Sequence, residues 1–165
     1  MNRSLAVLGM FFLACRPVAL ASGRAPPRQP EAAAADALPM AEVVVHSASG
    51  AMPVRVEVAA DPASRHRGLM FRQSVPPGTG MLFVFREPAD EAFWMHNTLV
   101  PLDMVFIGSD RKIVGIVENA APQSNESRSV GARSLYVLEV LGGTAFAHGW
   151  KRGDRVEMQG LPEPR

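Results

Sequence analysis

The apolar positions from residue 41 onward follow the pattern of β-strands. The runs EVVVHSA and MPVRVEVAA are rich in β-branched residues, and the pair Ser49-Gly50 between them predicts a hairpin. In the second run Val54, Val56 and Val58 alternate with charged residues. One face of this strand is therefore predicted to be buried and the other to face water.

Further short apolar runs continue this pattern to the end of the domain. They predict strands at MLFVF, EAFWMH, LDMVFIG, IVGIVE, LYVLEVL and RVEMQ, which brings the total to about eight. Both faces of LDMVFIG are apolar, so this strand should be buried on both sides. The polar residues 119–134 have no periodicity and predict a long exposed loop.

Two segments have the pattern of short helices. Asp61 is a good N-cap and Pro62 a good first residue, which predicts a helix from residue 62 to about residue 71. After a Gly-Gly pair, TAFAHGW predicts a helical turn capped by Thr144. We therefore expect a mostly β domain of the α+β class, a compact antiparallel β-sheet or half-barrel with one or two short helices.

The first 21 residues have the pattern of a secretion signal. Arg3 gives a positive start, and the apolar residues 5–14 are too few to span a bilayer but match a signal-peptide core. Residues 19–21, ALA, supply the small residues before a cleavage site, so we expect cleavage after Ala21 and a periplasmic or extracellular protein. In the alternative, Cys15 in FLAC becomes the lipidated N-terminus of a lipoprotein.

A Pro- and Ala-rich linker is predicted at residues 22–40, so the folded domain should cover residues 41–160. Loss of the signal would leave fifteen basic residues against sixteen acidic ones, a formal charge of −1. Because the basic residues are scattered, we expect no nucleic-acid partner. We also expect no membrane span after signal removal. Cys15 is the only cysteine, so the domain should contain neither a disulfide nor a thiol nucleophile.

Five ordered blocks carry a resemblance to a known family. They are RGLMFR at 67–72, GMLFVF at 80–85, FWMHNTLVPLDMVFI at 93–107, VLEVLGGTA at 137–145 and GDRVEM at 153–158. Together they resemble the DUF192 (UPF0127) family over about residues 41–160. The resemblance implies a compact, largely antiparallel β domain with short helices, often exported from bacterial and archaeal cells. It implies no biochemical activity, and a fold alone does not supply one.

Two acidic residues interrupt otherwise apolar strands. Asp103 shares a strand face with Val105 and Ile107, and Glu139 interrupts the row between Val137 and Leu141. A buried, unpaired carboxylate costs much free energy, so each acid must be paired, hydrogen-bonded or protonated.

Residues in the same blocks offer partners for these acids. Arg67 can donate two hydrogen bonds to one carboxylate, and Gly68 beside it, within the predicted helix, indicates a close approach of another backbone. Asn97 and Thr98 offer neutral donors, and Trp94 offers an indole N–H and an apolar wall. The candidate ligand-binding pocket therefore consists of Arg67, Trp94, Asn97, Thr98, Asp103 and Glu139. In the structural alternative, Arg67 only forms a buried ion pair with one of the two acids.

Three functional hypotheses follow. The first is a binding module for a small ligand or an envelope component, acting as a monomer. The second is a hydrolase- or lyase-like enzyme with Asp103 and Glu139 as general acid and base. The third is an accessory protein whose sequence blocks are purely structural. The sequence contains no G-x-S-x-G, glycine-rich phosphate loop or H-E-x-x-H, so no catalytic residue is assigned and no cofactor is expected.

A copper site is an alternative raised by the sulfur-rich blocks. Thioethers and an imidazole suit Cu(I), and the relevant side chains are Met70, Met81, Met95, Met104 and His96. Strand alternation, however, places Met95 and His96 on opposite faces, and no Met-x-Met or His-x-x-x-His spacing occurs. Methionine is also an ordinary core residue. We therefore expect no metal site, and zinc is disfavoured because cysteines and clustered histidines are lacking.

Overall fold

The computed structural model describes residues 37–162. The elements in this part of the chain are β1 Met40–Ser47, β2 Gly50–Ala59, α1 Pro62–Arg67, β3 Thr79–Ala89, β4 Leu102–Ile107, β5 Ile113–Ala120, β6 Ser134–Leu141, α2 Thr144–Ala147 and β7 Arg155–Gln159. They confirm the predicted mostly β fold with two short helices. The predicted signal peptide and residues 22–36 of the predicted linker lie outside the described residues. No helix between residues 37 and 162 is long and apolar enough to cross a membrane.

All the described strands belong to one curled sheet, a half-barrel, in the order β5-β4-β6-β3-β2-β1-β7. Neighbouring strands are antiparallel except β2 and β3, which are parallel because α1 and the loop after it carry the chain back across the sheet. The two edges meet at one end, where the Ile113 N–H donates to the Asp154 carbonyl at 2.9 Å and the Val156 N–H donates to the Arg111 carbonyl at 2.8 Å. These bonds hold the sheet in its curled form.

Both faces of the sheet are covered by apolar side chains. One face buries a valine-rich cluster that includes Val43, Val54, Val105, Leu138 and Trp150. The other face buries a cluster that includes Leu69, Met81, Phe83, Met95 and Phe106. Strand β4 is buried along its whole length, which confirms the prediction made from its two apolar faces.

The predicted strand at EAFWMH does not form. Residues 90–101 are a loop whose one β-bridge joins Phe93 to Arg128, so the described chain has seven strands rather than eight. Asn97 adopts a left-handed conformation with φ of 53° and turns the chain, and its carbonyl accepts the Phe71 N–H at 2.9 Å. The apolar residues of this run cover the sheet instead of extending it, as the fully buried Met95 shows.

Helix α1 begins as predicted but ends earlier. The Asp61 carboxylate accepts the N–H groups of Ala63 and Ser64, each at 3.0 Å. Gly68, predicted to lie inside the helix, ends it with φ of 47°. A Cβ on Gly68 would lie 3.2 Å from the Phe83 ring, so the close approach indicated by this glycine is to a side chain rather than to a backbone.

Asp103 is held by backbone N–H groups from two other elements. Its Oδ1 accepts hydrogen bonds from Asn119 at 2.7 Å and Gly143 at 3.0 Å, and its Oδ2 accepts one from Ala145 at 2.7 Å. Gly143 is the N-cap of α2 and has no side chain to cap it, so Asp103 caps this helix from β4. Thr144, the predicted cap, instead donates its hydroxyl to the Leu141 carbonyl at 2.6 Å. Asp103 therefore joins β4 to the end of β5 and the start of α2.

We expect Asp103→Asn to lower the free energy of unfolding by about 3 kcal/mol, since hydrogen bonds to charged groups contribute roughly 1.5–3 kcal/mol and the new amide N–H₂ would face a backbone donor. Urea unfolding at pH 7 measures this change. Asp90→Asn is the matched control, because Asp90 is exposed and its bond from the Ser129 hydroxyl can be kept by an asparagine oxygen. Equal losses in the two variants would contradict the assigned role of Asp103.

Candidate functional site

A cavity of about 230 Å³ lies between α1, β3, β6 and the loop of residues 90–101. Each element contributes a distinct kind of lining: α1 and the residues after it give basic and apolar groups, β3 gives phenylalanines, the loop gives mixed groups and β6 gives an acid. The lining residues are Arg65, His66, Arg67, Gly68, Leu69, Met70, Phe83, Phe85, Glu91, Ala92, Phe93, Trp94, Thr98 and Glu139. We refer to this space as the Glu139 cavity.

Aromatic rings form one wall of the Glu139 cavity. Phe93 lies edge-to-face against Phe83 at 4.9 Å, Phe85 at 6.3 Å and Phe106 at 5.9 Å between ring centroids. Such pairs contribute about 0.5–1.5 kcal/mol each beyond the area they bury. Phe93 therefore holds the loop of residues 90–101 against the sheet and fixes the shape of the wall. Trp94, a residue that is 47% exposed, adds a ring at the mouth.

Glu139 is a buried acid on the inner side of the cavity. It is 4% exposed, and its cross-strand neighbours are the buried Met81 on β3 and Met104 on β4. No group among the described residues donates a hydrogen bond to its carboxyl. Burial raises the pKa of Glu139 to about 8, so this carboxyl is mainly protonated and neutral at pH 7.

The mouth carries three basic groups and one acid. Arg65 donates to the Ala60 carbonyl at 2.6 Å and the Val84 carbonyl at 3.0 Å, and its guanidinium lies 5.3 Å from the Phe85 centroid. His66 and Arg67 follow it on α1 and are exposed. Glu91 is half-buried, and this burial raises its pKa, an effect that the charge of Arg65 opposes.

An adjacent open groove of about 730 Å³ shares Arg67, Gly68 and Met70 with the cavity. Two of its charged groups are paired with each other: Arg72 donates two hydrogen bonds to Glu57, both at 2.6 Å. These bonds lower the pKa of the Glu57 carboxyl. This ion pair joins the segment after α1 to β2. Because Arg72 and Glu57 bind each other, they are less available to a ligand than the unpaired Glu139.

The structure brings four of the six predicted pocket residues to one cavity, namely Arg67, Trp94, Thr98 and Glu139. Asn97 does not line it and serves as a turn residue in the covering loop. Asp103 is fully buried among its three backbone donors.

The predicted meeting of Asp103 with Glu139 is wrong for a reason of strand register. Asp103 lies opposite Val140 and Met104 lies opposite Glu139, so the two acids project from opposite faces of the sheet. Neither acid forms the predicted ion pair with Arg67 within the described residues. The acid–base pair of the enzyme hypothesis is therefore not assembled.

Several lining residues were not predicted. Phe93 lies in the FWMH block, and its aromatic character was a signal for a wall residue. Arg65 stands two positions before Arg67 and reaches the same cavity from α1. Glu91 precedes that block in a loop, and no local pattern indicates its position because tertiary contacts alone set it.

Comparisons with known proteins agree with this fold. Residues 43–158 match the model of the DUF192 family, which is described as "Uncharacterized ACR". No curated protein matches the chain. The chain is similar to a solved structure from Sinorhizobium meliloti 1021, described as a candidate transcription regulator, with 42% identity and a TM-score of 0.72 over 76% of this chain and 98% of that one. It is also similar to a protein of unknown function from Novosphingobium aromaticivorans DSM 12444, with 37% identity and a TM-score of 0.72 over 82% of this chain and 94% of that one.

We expect Glu139 to make stability fall with rising pH. Because its pKa is higher in the folded protein than its ordinary value of 4.5, the folded state holds the proton more tightly than the unfolded state. The favourable contribution is complete below about pH 4.5 and is lost as the pH rises towards 8, at up to about 1.4 kcal/mol per pH unit. Urea unfolding of the wild type and of Glu139→Gln at several pH values measures this effect. The free energy of unfolding of the wild type should fall relative to that of the glutamine variant as the pH rises from about 4.5 to 8.

Glu118→Gln is the control for this measurement, since Glu118 is exposed on β5 and does not line the cavity. Its stability should follow that of the wild type across the pH range. Glu91, whose pKa is also raised, is present in all three proteins, so its contribution cancels in the differences. Parallel profiles for the wild type and Glu139→Gln would contradict the raised pKa.

Proposed function

This chain belongs to the DUF192 family, and we propose that its domain is a binding module that holds a small ligand in the Glu139 cavity. The observation that carries the proposal is Glu139 itself, a buried carboxyl without a hydrogen-bond partner among the described residues, in a cavity with an aromatic wall. Perturbed, unpaired acids in clefts are typical of functional sites.

The energetics of Glu139 support a role beyond folding. A carboxyl withdrawn from bulk water without a protein partner costs up to roughly 1–3 kcal/mol, and an apolar side chain between Met81 and Met104 would avoid that cost. A ligand group within hydrogen-bonding reach would offset it. The protonated carboxyl can both donate and accept, so it complements a hydroxyl or an amide.

The dimensions of the cavity limit the size of the ligand. At about 230 Å³ it is smaller than the roughly 300–1,000 Å³ pockets that hold drug-sized molecules. It suits a molecule with a single ring or a short chain, packed against Phe93 and Trp94. An envelope component would enter only through a side group or chain end of this size.

We expect benzamide, which joins an apolar ring to an amide, to bind with a Kd on the order of millimolar. The amide should engage Glu139 and the ring should contact Phe93. The measurement is the shift of the Gly68 amide and Trp94 indole resonances of the full chain during an NMR titration. Glu139→Met should weaken binding at least about tenfold while raising stability, because it removes the partnerless carboxyl and keeps its volume.

A matched pair of variants locates the binding. Ala92→Trp should block the cavity, because Ala92 is an exposed lining residue. Ala121→Trp places the same ring at an exposed position outside the lining and should bind benzamide like the wild type. Absence of benzamide binding, or equal binding by all these variants, would overturn the proposed site.

We further propose that the chain is exported, with signal cleavage after Ala21. The support is the charged start, the apolar residues 5–14 and the small residues at 19–21. Expression in a bacterial host followed by intact-mass analysis should give a periplasmic protein that begins at Ser22. Cys15→Ala should process normally; loss of processing in this variant would instead establish lipoprotein maturation, and an uncleaved cytoplasmic chain would contradict export.

A further inference from the structure

The basic groups of α1 give the Glu139 cavity a charge asymmetry. Arg65, His66 and Arg67 line it from one side, whereas the acids that line it are Glu91 and the mainly protonated Glu139. Glu91 is itself half-buried with a raised pKa. At pH 7 the lining is therefore more positive than negative.

The arginines around the cavity differ in what they bind. The Arg65 guanidinium donates to two backbone carbonyls, and Arg72 is paired with Glu57. The side chain of Arg67, the last residue of α1, has no hydrogen-bond or ion-pair partner among residues 37–162. Its exposed side chain lines the cavity, and a guanidinium fork can hold a carboxylate with two parallel hydrogen bonds.

A cationic ligand fits this arrangement less well. Aromatic rings beside carboxyls can bind ammonium groups, but the Phe85 ring already lies against the Arg65 guanidinium. The Arg67 guanidinium would repel a cationic ligand. Pairing with such a ligand would also require Glu139 to lose its proton among apolar neighbours.

Resting on the proposed function, we infer that the ligand is a small organic carboxylate whose anionic group pairs with Arg67 while a hydroxyl or amide at its other end reaches Glu139. The apolar middle of the molecule packs on Phe93 and Trp94. Arg67 selects the charge of the ligand, and Glu139 selects its inner polar group.

Three ligands of nearly equal shape test this assignment. They are 4-hydroxybenzoate, 4-hydroxybenzamide and 4-hydroxybenzylamine, which carry a negative charge, no charge and a positive charge at pH 7. Calorimetric titration of the full chain at low ionic strength should give a Kd for the carboxylate about tenfold below that of the amide, with the amine weakest. Arg67→Gln should remove the preference for the carboxylate, so that the Kd of the carboxylate rises to about that of the amide.

The matched control is Arg152→Gln, which removes the same net charge at an exposed position outside the cavity lining. It should keep the full preference for the carboxylate. Equal affinity for all three probes would overturn the inference and leave the proposed binding function standing. Binding of none of them would overturn both, and an undiminished preference in Arg67→Gln would overturn the role of Arg67.

Discussion

The pairing of β4 with β6 determines the environment of both buried acids. With Asp103 opposite Val140, one carboxylate faces the valine-rich cluster and meets the N–H groups at the start of α2. Glu139, one residue along β6, is forced to the other face, where methionines flank it. A shift of β4 by one residue against β6 would place Asp103 opposite Glu139, and both acids would then lie on the same face of the sheet.

The two acids show how the same functional group can stabilise or destabilise a fold. Asp103 satisfies backbone donors that would otherwise be unpaired at the start of α2 and the end of β5. Glu139 meets no donor within the described residues and carries its burial cost in the neutral form. The hydrogen bonds of Asp103 are enough to explain an acid at this position by its contribution to folding alone. The surroundings of Glu139 give it no such contribution, so the Glu139 cavity is where a functional role is expected.

Local patterns were enough to predict much of the fold. The alternation of Val54, Val56 and Val58, the N-cap at Asp61 and the two apolar faces of β4 depend on neighbours in sequence, and the structure agrees with each. The prediction extended α1 past Gly68, although glycine commonly ends a helix, and Gly68 does so here with φ of 47°.

The candidate site was predictable only in part, because long-range register and loop packing assemble it. Arg67, Trp94, Thr98 and Glu139 were found through polar or aromatic residues within apolar blocks. The register of β4 on β6 excluded Asp103, and no periodicity in the sequence determines that register. EAFWMH has the composition of a strand. Phe93 nevertheless packs against three other aromatic rings, and the segment lies over the sheet as a loop instead of joining it.

The covering loop is itself fastened along its length. Phe93 and Arg128 exchange two backbone hydrogen bonds, Met95 donates to Ser124, and the Thr98 carbonyl accepts from Gln123. Because the loop is held in this way, the cavity wall is organised before a ligand binds, and little conformational entropy is lost on binding. Ligand binding should therefore proceed in a single kinetic step. Its observed association rate should be proportional to ligand concentration, without a slow isomerisation of the protein.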